Sequence, residues 1–218
     1  MEEGGLGLKR IKQWNEAAIG TRLWEIVARD DSLWTNWIRT KYLKQQSIWA
    51  VSSSTSASWA WAHILASHCW IKQRSNVLVF SGDFTNLWHD PWIDGQALKE
   101  KLPPHMAFHW GPTKSTLVSK LINNGEWSTS IRWPPTYLEV WEDISRVRVG
   151  GTHADIPIWM GSKSGTLNAK AAWNFLRTPK PQVPWKGWAW DPGQIPRHSY
   201  TTWLALLHKL LTLQKLQN

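Results

Sequence analysis

Tryptophan is the residue that most constrains this chain. It occupies 20 of the 218 positions, whereas Phe and Tyr together supply only seven. Tryptophan is a large apolar side chain whose indole N–H needs an acceptor when it is buried. One buried Trp removes roughly 200 Å² from water, which at about 25 cal/mol per Å² gives up to ~5 kcal/mol before ordering entropy is subtracted. The tryptophans therefore predict either a dense aromatic core or surfaces that stack bases or sugars.

Length and cysteine content narrow the class of protein. A chain of 218 residues forms one domain or two small ones. Cys69 is its only cysteine, which excludes an intrachain disulfide framework and a cysteine-rich zinc site. The longest apolar runs, residues 77–80 and 203–207, are too short to span a bilayer, and the acidic N-terminus lacks a signal-peptide pattern. We expect an intracellular protein, in the nucleus or the cytoplasm, with no membrane partner.

The positive charge is concentrated near the C-terminus. The net charge is +9, yet residues 1–100 carry 11 basic and 10 acidic residues. Residues 156–218 carry eight basic residues against the single acid Asp191. A basic region of this kind attracts polyanions, among which RNA and DNA are the commonest partners. The alternative is a basic end without any partner, because charge alone is a weak functional signal.

Hydrophobic periodicity predicts a mainly helical first half. Apolar residues recur at helical spacing over residues 8–28, 33–43 and 58–72, and Asp30-Asp31-Ser32 offers an N-cap to the second helix. The β-branched residues 77–80 and the residues 84–88 flank the turn signal Ser81-Gly82-Asp83 and predict a hairpin. Residues 93–112 read as irregular.

The second half mixes short helices, a second hairpin and a proline-rich segment. Helices are expected over residues 115–123, 135–147, 168–177 and 200–216, and a hairpin over residues 156–159 and 165–167. Five prolines make residues 179–197 a poor candidate for regular structure. The predicted fold class is mainly α with small antiparallel β-hairpins, an α+β chain, ending in an irregular proline-rich segment. We expect three regions: 1–110, helical with one hairpin; 111–178, helix-hairpin-helix; and 179–218, a linker and a C-terminal helix.

The order of several short motifs resembles a known family. The motifs are Gly4-Gly5-Leu6-Gly7-Leu8, Asn15-Glu16-Ala17-Ala18, Trp24, Asp31-Ser32-Leu33-Trp34, Lys41-Tyr42-Leu43, Ser58-Trp59-Ala60-Trp61, Gly82-Asp83, Leu87-Trp88-His89-Asp90-Pro91-Trp92, Asp155-Ile156-Pro157-Ile158-Trp159 and Ser164-Gly165-Thr166-Leu167-Asn168-Ala169-Lys170-Ala171-Ala172-Trp173. Together they are similar to the region after the polymerase domain in plant LINE-type, non-LTR retrotransposon reverse transcriptases. That region runs into the reverse-transcriptase zinc-binding domain, and the resemblance covers nearly the whole chain.

The resemblance implies neither catalysis nor zinc for this chain. In the family, polymerase chemistry lies upstream of the Gly-Gly-Leu-Gly stretch, in an aromatic-x-Asp-Asp motif that holds divalent metal. The only Asp-Asp pair here, Asp30-Asp31, follows Ala28-Arg29 and is interpreted as a helix cap, since two-metal chemistry needs converging carboxylates. The family's zinc ligands follow a Trp-containing helix that residues 200–212 resemble, and the sequence ends at Asn218 before them. We therefore expect no enzyme activity, no metal and no cofactor.

Other candidates for metal or nucleotide chemistry are weak. His105 and His109 share a helical spacing, but Met106 stands where a zincin needs Glu and no third ligand is recognisable. His63 and His68 lie well over 90° apart on a helix, and Cys69 is more typical of a buried small residue than of a nucleophile. No Gly-x-Gly-x-x-Gly or Walker loop occurs, which gives a nucleotide cofactor no support.

Aromatic residues interleaved with cations make the C-terminal region the candidate nucleic-acid site. Such interleaving holds single strands without reading their sequence, whereas the general burial of large aromatics favours tryptophans folded back as apolar anchors. We expect a non-catalytic reverse-transcriptase fragment that binds RNA or DNA weakly. The alternatives are a decayed structural fragment, or part of an RNA-directed DNA polymerase whose catalytic domain lies outside this chain. The candidate contact residues are Lys163, Lys170, Arg177, Lys180, Trp185, Lys186, Trp188, Trp190 and Arg197.

Overall fold

The described part of the chain is an α+β arrangement of short elements. The computed structural model describes residues 3–44, 46–52, 58–103, 115–128, 137–191 and 193–210. Within these ranges, short helices are joined by three two-stranded antiparallel sheets. The predicted fold class, mainly helical with small antiparallel sheets, is confirmed.

The chain divides into two compact units. We call Met1–Gln13 together with Arg177–Asn218 the terminal unit, and Trp14–Leu176 the central unit. The expected regions 1–110, 111–178 and 179–218 stay a prediction. The described helices are α1 (Ile11–Val27), α2 (Leu33–Ile38), α3 (Trp59–Ala66), α4 (His68–Lys72), α5 (Leu98–Lys101), α6 (Leu138–Arg146), α7 (Ala169–Leu176), α8 (Lys186–Ala189) and α9 (Pro196–Leu206). The described strands are β1 (Ser75–Leu78), β2 (Pro91–Ile93), β3 (Gln96–Ala97), β4 (Ile122–Asn123), β5 (Glu126–Trp127) and β6 (Ile156–Trp159).

Helix boundaries follow local capping chemistry. Ser32 closes a capping box on α2: its hydroxyl accepts from Thr35 N at 3.2 Å, and Thr35 Oγ1 accepts from Ser32 N at 3.3 Å. Ser58 caps α3 by accepting from Trp61 N at 3.3 Å. The predicted helix 58–72 is instead two helices, because the chain is interrupted at Ser67, whose hydroxyl makes no cap bond to α4.

The end of α1 is a Schellman motif with an unusual residue. Asp30 N donates to Glu25 O at 3.0 Å, and Arg29 N donates to Ile26 O at 3.3 Å. Arg29 adopts φ +57°, the left-handed conformation that glycine usually supplies at this position. A side chain there costs roughly 1–2 kcal/mol. The fold therefore carries local strain at Arg29.

The predicted hairpin of residues 77–80 and 84–88 is wrong. β1 pairs antiparallel with the distant β6, from Ser75 opposite Trp159 to Leu78 opposite Ile156. Residues 84–88 do not return as a strand. The backbone that precedes them is folded around the Asp155 carboxylate instead, with Phe80 N and Gly82 N donating to it. A long-range strand pair therefore replaces the expected local one.

The second predicted hairpin and one predicted helix are also wrong. Trp159 N donates to Gly165 O at 2.7 Å, but residues 165–167 form no strand, since β6 is already paired with β1. Residues 115–123 form a 3₁₀ turn, Val118–Leu121, that leads into the β4–β5 hairpin. Asn124 and Gly125 turn this hairpin with φ values of +53° and +81°, the geometry of a type I′ turn.

Two further boundaries differ from the sequence prediction. Residues 93–97, expected to be irregular, complete the β2–β3 hairpin, in which Asp94 and Gly95 adopt φ values of +51° and +81°. The last helix begins at Pro196 rather than at residue 200, because proline is well suited to the first helical turn. The proline-rich segment also contains the single helical turn α8.

The central unit has two apolar clusters rich in tryptophan. One gathers α1, α2 and α3 with Trp159, and the other gathers β1 and β2 with the 3₁₀ turn and α6. Most described tryptophans are buried or half-buried; the exposed ones are Trp37, Trp59 and Trp188. Trp92 Nε1, which is buried, donates to Leu87 O at 2.9 Å. Core packing is therefore the main role of the tryptophans in the described residues.

Candidate nucleic-acid interface

The terminal unit holds most of the residues predicted to contact nucleic acid. It contains Arg177, Lys180, Trp185, Lys186, Trp188, Trp190 and Arg197. Lys163 and Lys170 belong to the central unit, where both are exposed, Lys163 in the turn after β6 and Lys170 in the first turn of α7. The nine candidates are thus divided between the two units.

The N-terminal residues are part of the terminal unit, and one of them forms an ion pair with a basic residue of that unit. Arg177 Nη1 donates to the carboxylate of Glu3 in a half-buried ion pair. This hydrogen bond holds the pKa of Glu3 below its usual range. Trp203 Nε1 donates to Gly4 O at 2.7 Å, and a Cβ at Gly4 would lie only 3.1 Å from Val183. Arg177 therefore has a structural role here, whereas Lys180, Lys186 and Arg197 are exposed.

Trp188 is the exposed tryptophan of the terminal unit. It lies in the single-turn helix α8, and 72% of its surface is exposed. Gln194 Nε2 donates to Trp188 O at 3.0 Å, and Trp188 N donates to Trp185 O at 3.1 Å, so the backbone on both sides is held. Lys186 begins the same turn and is exposed. The chain thus presents an indole and an ammonium group on one fixed turn.

Trp185 and Trp190 are packed into the terminal unit. Both are half-buried, and Trp185 lies against Gly4, where a Cβ would come within 3.3 Å of its ring. The Trp190 ring lies 6.5 Å from that of Trp203, and among the described residues its buried indole N–H has no acceptor. Of the three candidate tryptophans, Trp188 alone offers an open ring face.

The central unit contains a cleft that the sequence interpretation missed. Its volume is about 830 Å³, and its lining includes Arg29, Arg39, Lys44, Phe84 and Asp90. Arg39 Nη2 donates to Ile26 O at 3.3 Å, and Arg29 Nη2 donates to Phe84 O. Desolvation lowers the pKa of both guanidinium groups. The sequence signal was the Arg29-Asp30-Asp31 break after α1, which was interpreted only as a helix boundary.

Two carboxylates of the cleft are occupied by protein donors. The buried Asp155 accepts from Phe80 N, Gly82 N, Phe84 N and Thr85 Oγ1 at 2.8, 3.0, 3.1 and 2.7 Å. Asp90 accepts from Ser47 Oγ and, at 2.7 Å, from Asn86 N, while desolvation raises its pKa. These carboxylates therefore organise the loops around the cleft. In the described ranges no three His, Cys, Asp or Glu side chains come together.

Of the remaining histidine candidates for metal binding, the structure describes His63 and His68. His105 and His109 lie outside the described residues. His63 is exposed, and its Nδ1 is 2.9 Å from Trp59 O, while His68 packs against Trp49 at 5.3 Å between ring centroids. Cys69, expected to be buried, is exposed on α4. Among the helices that the structure describes, none has the length and apolar composition to cross a bilayer.

Comparison with known proteins relates the chain to reverse transcriptases. Residues 167–218 match the family described as zinc-binding in reverse transcriptase. Over 103 residues the chain is 25% identical to an uncharacterized mitochondrial protein of Arabidopsis thaliana. The matched stretch covers 47% of this chain and 65% of that protein. The chain thus spans less than two thirds of that relative. No solved structure matches this chain. These matches support a reverse-transcriptase-associated region, the coarse part of the resemblance.

The residues of the matched segment do not fit a zinc ion. Residues 167–218 offer Asp191, His198 and His208 as side chains of zinc-ligand type. His198 lies in the first turn of α9 and His208 beyond its end, which separates them by roughly 15 Å at the helical rise. A structural zinc site takes four such ligands. The three side chains of this segment therefore do not complete one.

Proposed function

We propose that this chain is a non-catalytic part of a plant LINE-type retrotransposon reverse-transcriptase protein that binds single-stranded RNA or DNA weakly and without sequence preference. The observation that supports it is the exposed indole of Trp188, on a turn that begins at the exposed Lys186 and is held by Gln194. The matches to a reverse-transcriptase-associated family and to a plant protein agree with this parentage.

An open indole in a unit with exposed cations is suited to a nucleotide without favouring one base. Every base has a π-face, and stacking on an aromatic side chain is worth about 1–3 kcal/mol per base. Lys180, Lys186 and Arg197 are exposed in the same unit and supply charge for phosphates. With one open tryptophan, we expect weak affinity that depends strongly on salt.

The test is a binding titration of the full chain with a labelled single-stranded oligonucleotide of mixed sequence. Fluorescence anisotropy between about 50 and 200 mM salt should give a log–log line of negative slope, about 0.7 per phosphate neutralised. Trp188→Ala should weaken binding about 5- to 150-fold, the equivalent of 1–3 kcal/mol. Lys186→Gln should weaken binding and make the slope shallower.

The matched control is Trp59→Ala. Trp59 is also an exposed tryptophan, at 70%, but it lies on α3 of the central unit. It should leave the affinity unchanged. Absence of binding at about 50 mM salt, or equal losses in the two alanine variants, would overturn the proposal and favour a structural fragment without this activity.

A further inference from the structure

The cleft of the central unit brings together two arginines that follow helix ends. Arg29 follows α1 in the Schellman motif, and Arg39 begins the π-helical turn Arg39–Leu43 directly after α2. Both line the same cleft of about 830 Å³. Desolvation is the main cause that lowers the pKa of each group. At Arg29 the charges of Asp90 and Asp155 oppose this lowering and the charge of Arg39 adds to it, while at Arg39 the charges of Asp31 and Asp30 oppose it. Two like charges are therefore kept near each other in a partly dehydrated space.

The two guanidinium groups retain unused hydrogen-bond donors. Each donates from one Nη2 atom to a backbone carbonyl, Phe84 O for Arg29 and Ile26 O for Arg39. Within the described ranges, neither group forms an ion pair with a carboxylate. A guanidinium carries further N–H groups in a planar fork that matches the oxygens of a phosphate. Counting the described part of the chain, the cleft thus has N–H donors for which the protein supplies no acceptor.

The acids of the cleft oppose an anion only weakly. Asp155 already accepts four hydrogen bonds, and Asp90 accepts two. Desolvation raises the pKa of Asp90, which favours its neutral form. Asp83 is exposed at the rim, where solvent and salt screen its charge. The guanidinium groups therefore remain the groups available to a ligand.

The conformation of Arg29 supports a role beyond folding. Its left-handed φ of +57° is the conformation that glycine adopts most easily, so an arginine there is strained. Strained residues that hold a charged group in a cleft are concentrated at ligand sites. The Phe84 ring is exposed beside Arg29, with its centroid 4.8 Å from the guanidinium carbon. An aromatic face thus lies next to the unused donors.

We propose that this cleft is a phosphate site, in which Arg29 and Arg39 hold the phosphate oxygens and Phe84 contacts the group that carries the phosphate. The site lies in the central unit and does not depend on the binding proposed for Trp188. The phosphate is supplied by free phosphate, by a mononucleotide or by a nucleic-acid strand, which the same donors would recognise.

The experiment is isothermal titration calorimetry of the full chain with inorganic phosphate, adenosine monophosphate and a short oligonucleotide in parallel. We expect phosphate and the monophosphate to bind, the latter more tightly because of Phe84. A site that takes only the oligonucleotide, still dependent on Arg29 and Arg39, assigns the phosphate to a strand. For each probe that binds, Arg39→Gln should weaken its affinity at least about tenfold, equivalent to 1.4 kcal/mol.

Variants that keep the fold make the test decisive. Arg29→Gly removes the donor while supplying the residue that the helix end favours, so it should fold and still lose at least about tenfold in affinity. Arg22→Gln removes the same charge from an exposed pair with Glu25 on α1 and should change affinity less than about twofold. Trp188→Ala should leave this binding unchanged.

The proposal would be overturned by no binding of any of the three probes, by equal losses in Arg22→Gln and Arg39→Gln, or by an Arg29→Gly variant that folds and binds like the parent chain. Loss of the phosphate heat in Trp188→Ala would also overturn it, because the ligand would then belong to the terminal unit. Thermal unfolding of each variant establishes that it is folded before its affinity is compared.

Discussion

The carboxylate of Asp155 accepts a 2.7 Å hydrogen bond from the hydroxyl of Thr85, 70 residues earlier in the chain. Both side chains are buried. The same carboxylate accepts from the backbone N–H groups of Phe80, Gly82 and Phe84. One side chain before β6 therefore fixes the loop after β1, at the place where these two strands pair.

Asp155→Asn should destabilise the central unit by about 3 kcal/mol. The amide removes one acceptor oxygen and places an NH₂ group against backbone donors, and each buried donor left unsatisfied costs about 1–3 kcal/mol. Urea unfolding followed by circular dichroism measures the change. Asp94→Asn is the matched control, because Asp94 is exposed with φ +51°, which Asn tolerates, and should change stability by less than about 0.5 kcal/mol. Similar values for the two variants would contradict the role given to Asp155.

Trp92→Ala should cost about 4 kcal/mol, whereas Trp59→Ala should be nearly neutral. Trp92 is 1% exposed, donates to Leu87 O and lies 5.7 Å from the Trp127 ring. Truncating a buried aromatic costs about 3–5 kcal/mol. Trp92→Phe keeps most of the volume but leaves Leu87 O without its donor, so we expect an intermediate loss. Denaturant midpoints of the three variants give the order, and a Trp59→Ala loss as large as that of Trp92→Ala would refute it.

Gly20→Ala should destabilise the protein, although alanine is the better helix former by about 1 kcal/mol. Gly20 is inside α1, and a Cβ there would lie 2.2 Å from an atom of the Trp70 ring. Overpacking of this kind costs about 1–3 kcal/mol. The double variant Gly20→Ala/Trp70→Leu should lose less than the two single losses combined, because the smaller side chain relieves the clash. Additive losses in the double-mutant cycle would show that the two residues do not interact.

Stability should fall when the pH drops from about 6.5 to about 4, because of His68. Desolvation, with a smaller contribution from Lys72, lowers the pKa of His68 from 6.5 to about 4. In this window the unfolded chain binds a proton that the folded chain does not. The free energy of unfolding therefore falls by up to roughly 3 kcal/mol. Above pH 6.5 His68 is neutral in both states and contributes no slope.

The measurement for His68 is urea unfolding at several pH values, compared with His68→Gln. The variant lacks the titrating ring, so the difference between the two curves isolates His68 from groups of opposite effect. Asp90 is such a group: its pKa is raised on folding, so protonation favours the folded state as the pH falls. Parallel curves for the two proteins would refute the assignment to His68.

Local signals in the sequence predicted helices better than strand partners. The capping residue Ser32 and the apolar spacing of α1 act within one or two turns, so both can be recognised in the sequence itself. The partner of β1 is β6, about 80 residues away, and no local pattern distinguishes it from the nearer residues 84–88. Asn124-Gly125 directly follows the residues 115–123 that were expected to be helical, yet the pair is a strong type I′ hairpin signal.

The candidate sites depended on tertiary structure to different degrees. The basic C-terminal region was visible in composition, yet its tryptophans look alike in sequence and only Trp188 is open. The candidate contact residue Arg177 forms an ion pair with Glu3, a partner 174 residues away that no local pattern in the sequence indicates. Arg29 and Arg39 carried no motif, because their proximity arises from the packing that follows α1 and α2.

The hydrogen bond from Trp203 to Gly4 joins residues 199 positions apart. During synthesis the chain emerges from its N-terminus, and domains generally fold as units once their residues are available. Gly4 must therefore wait for 199 further residues before Trp203 appears, while the central unit already has all its residues. We expect the terminal unit to fold last on the ribosome, with the N-terminal residues open to proteases and chaperones until α9 has emerged.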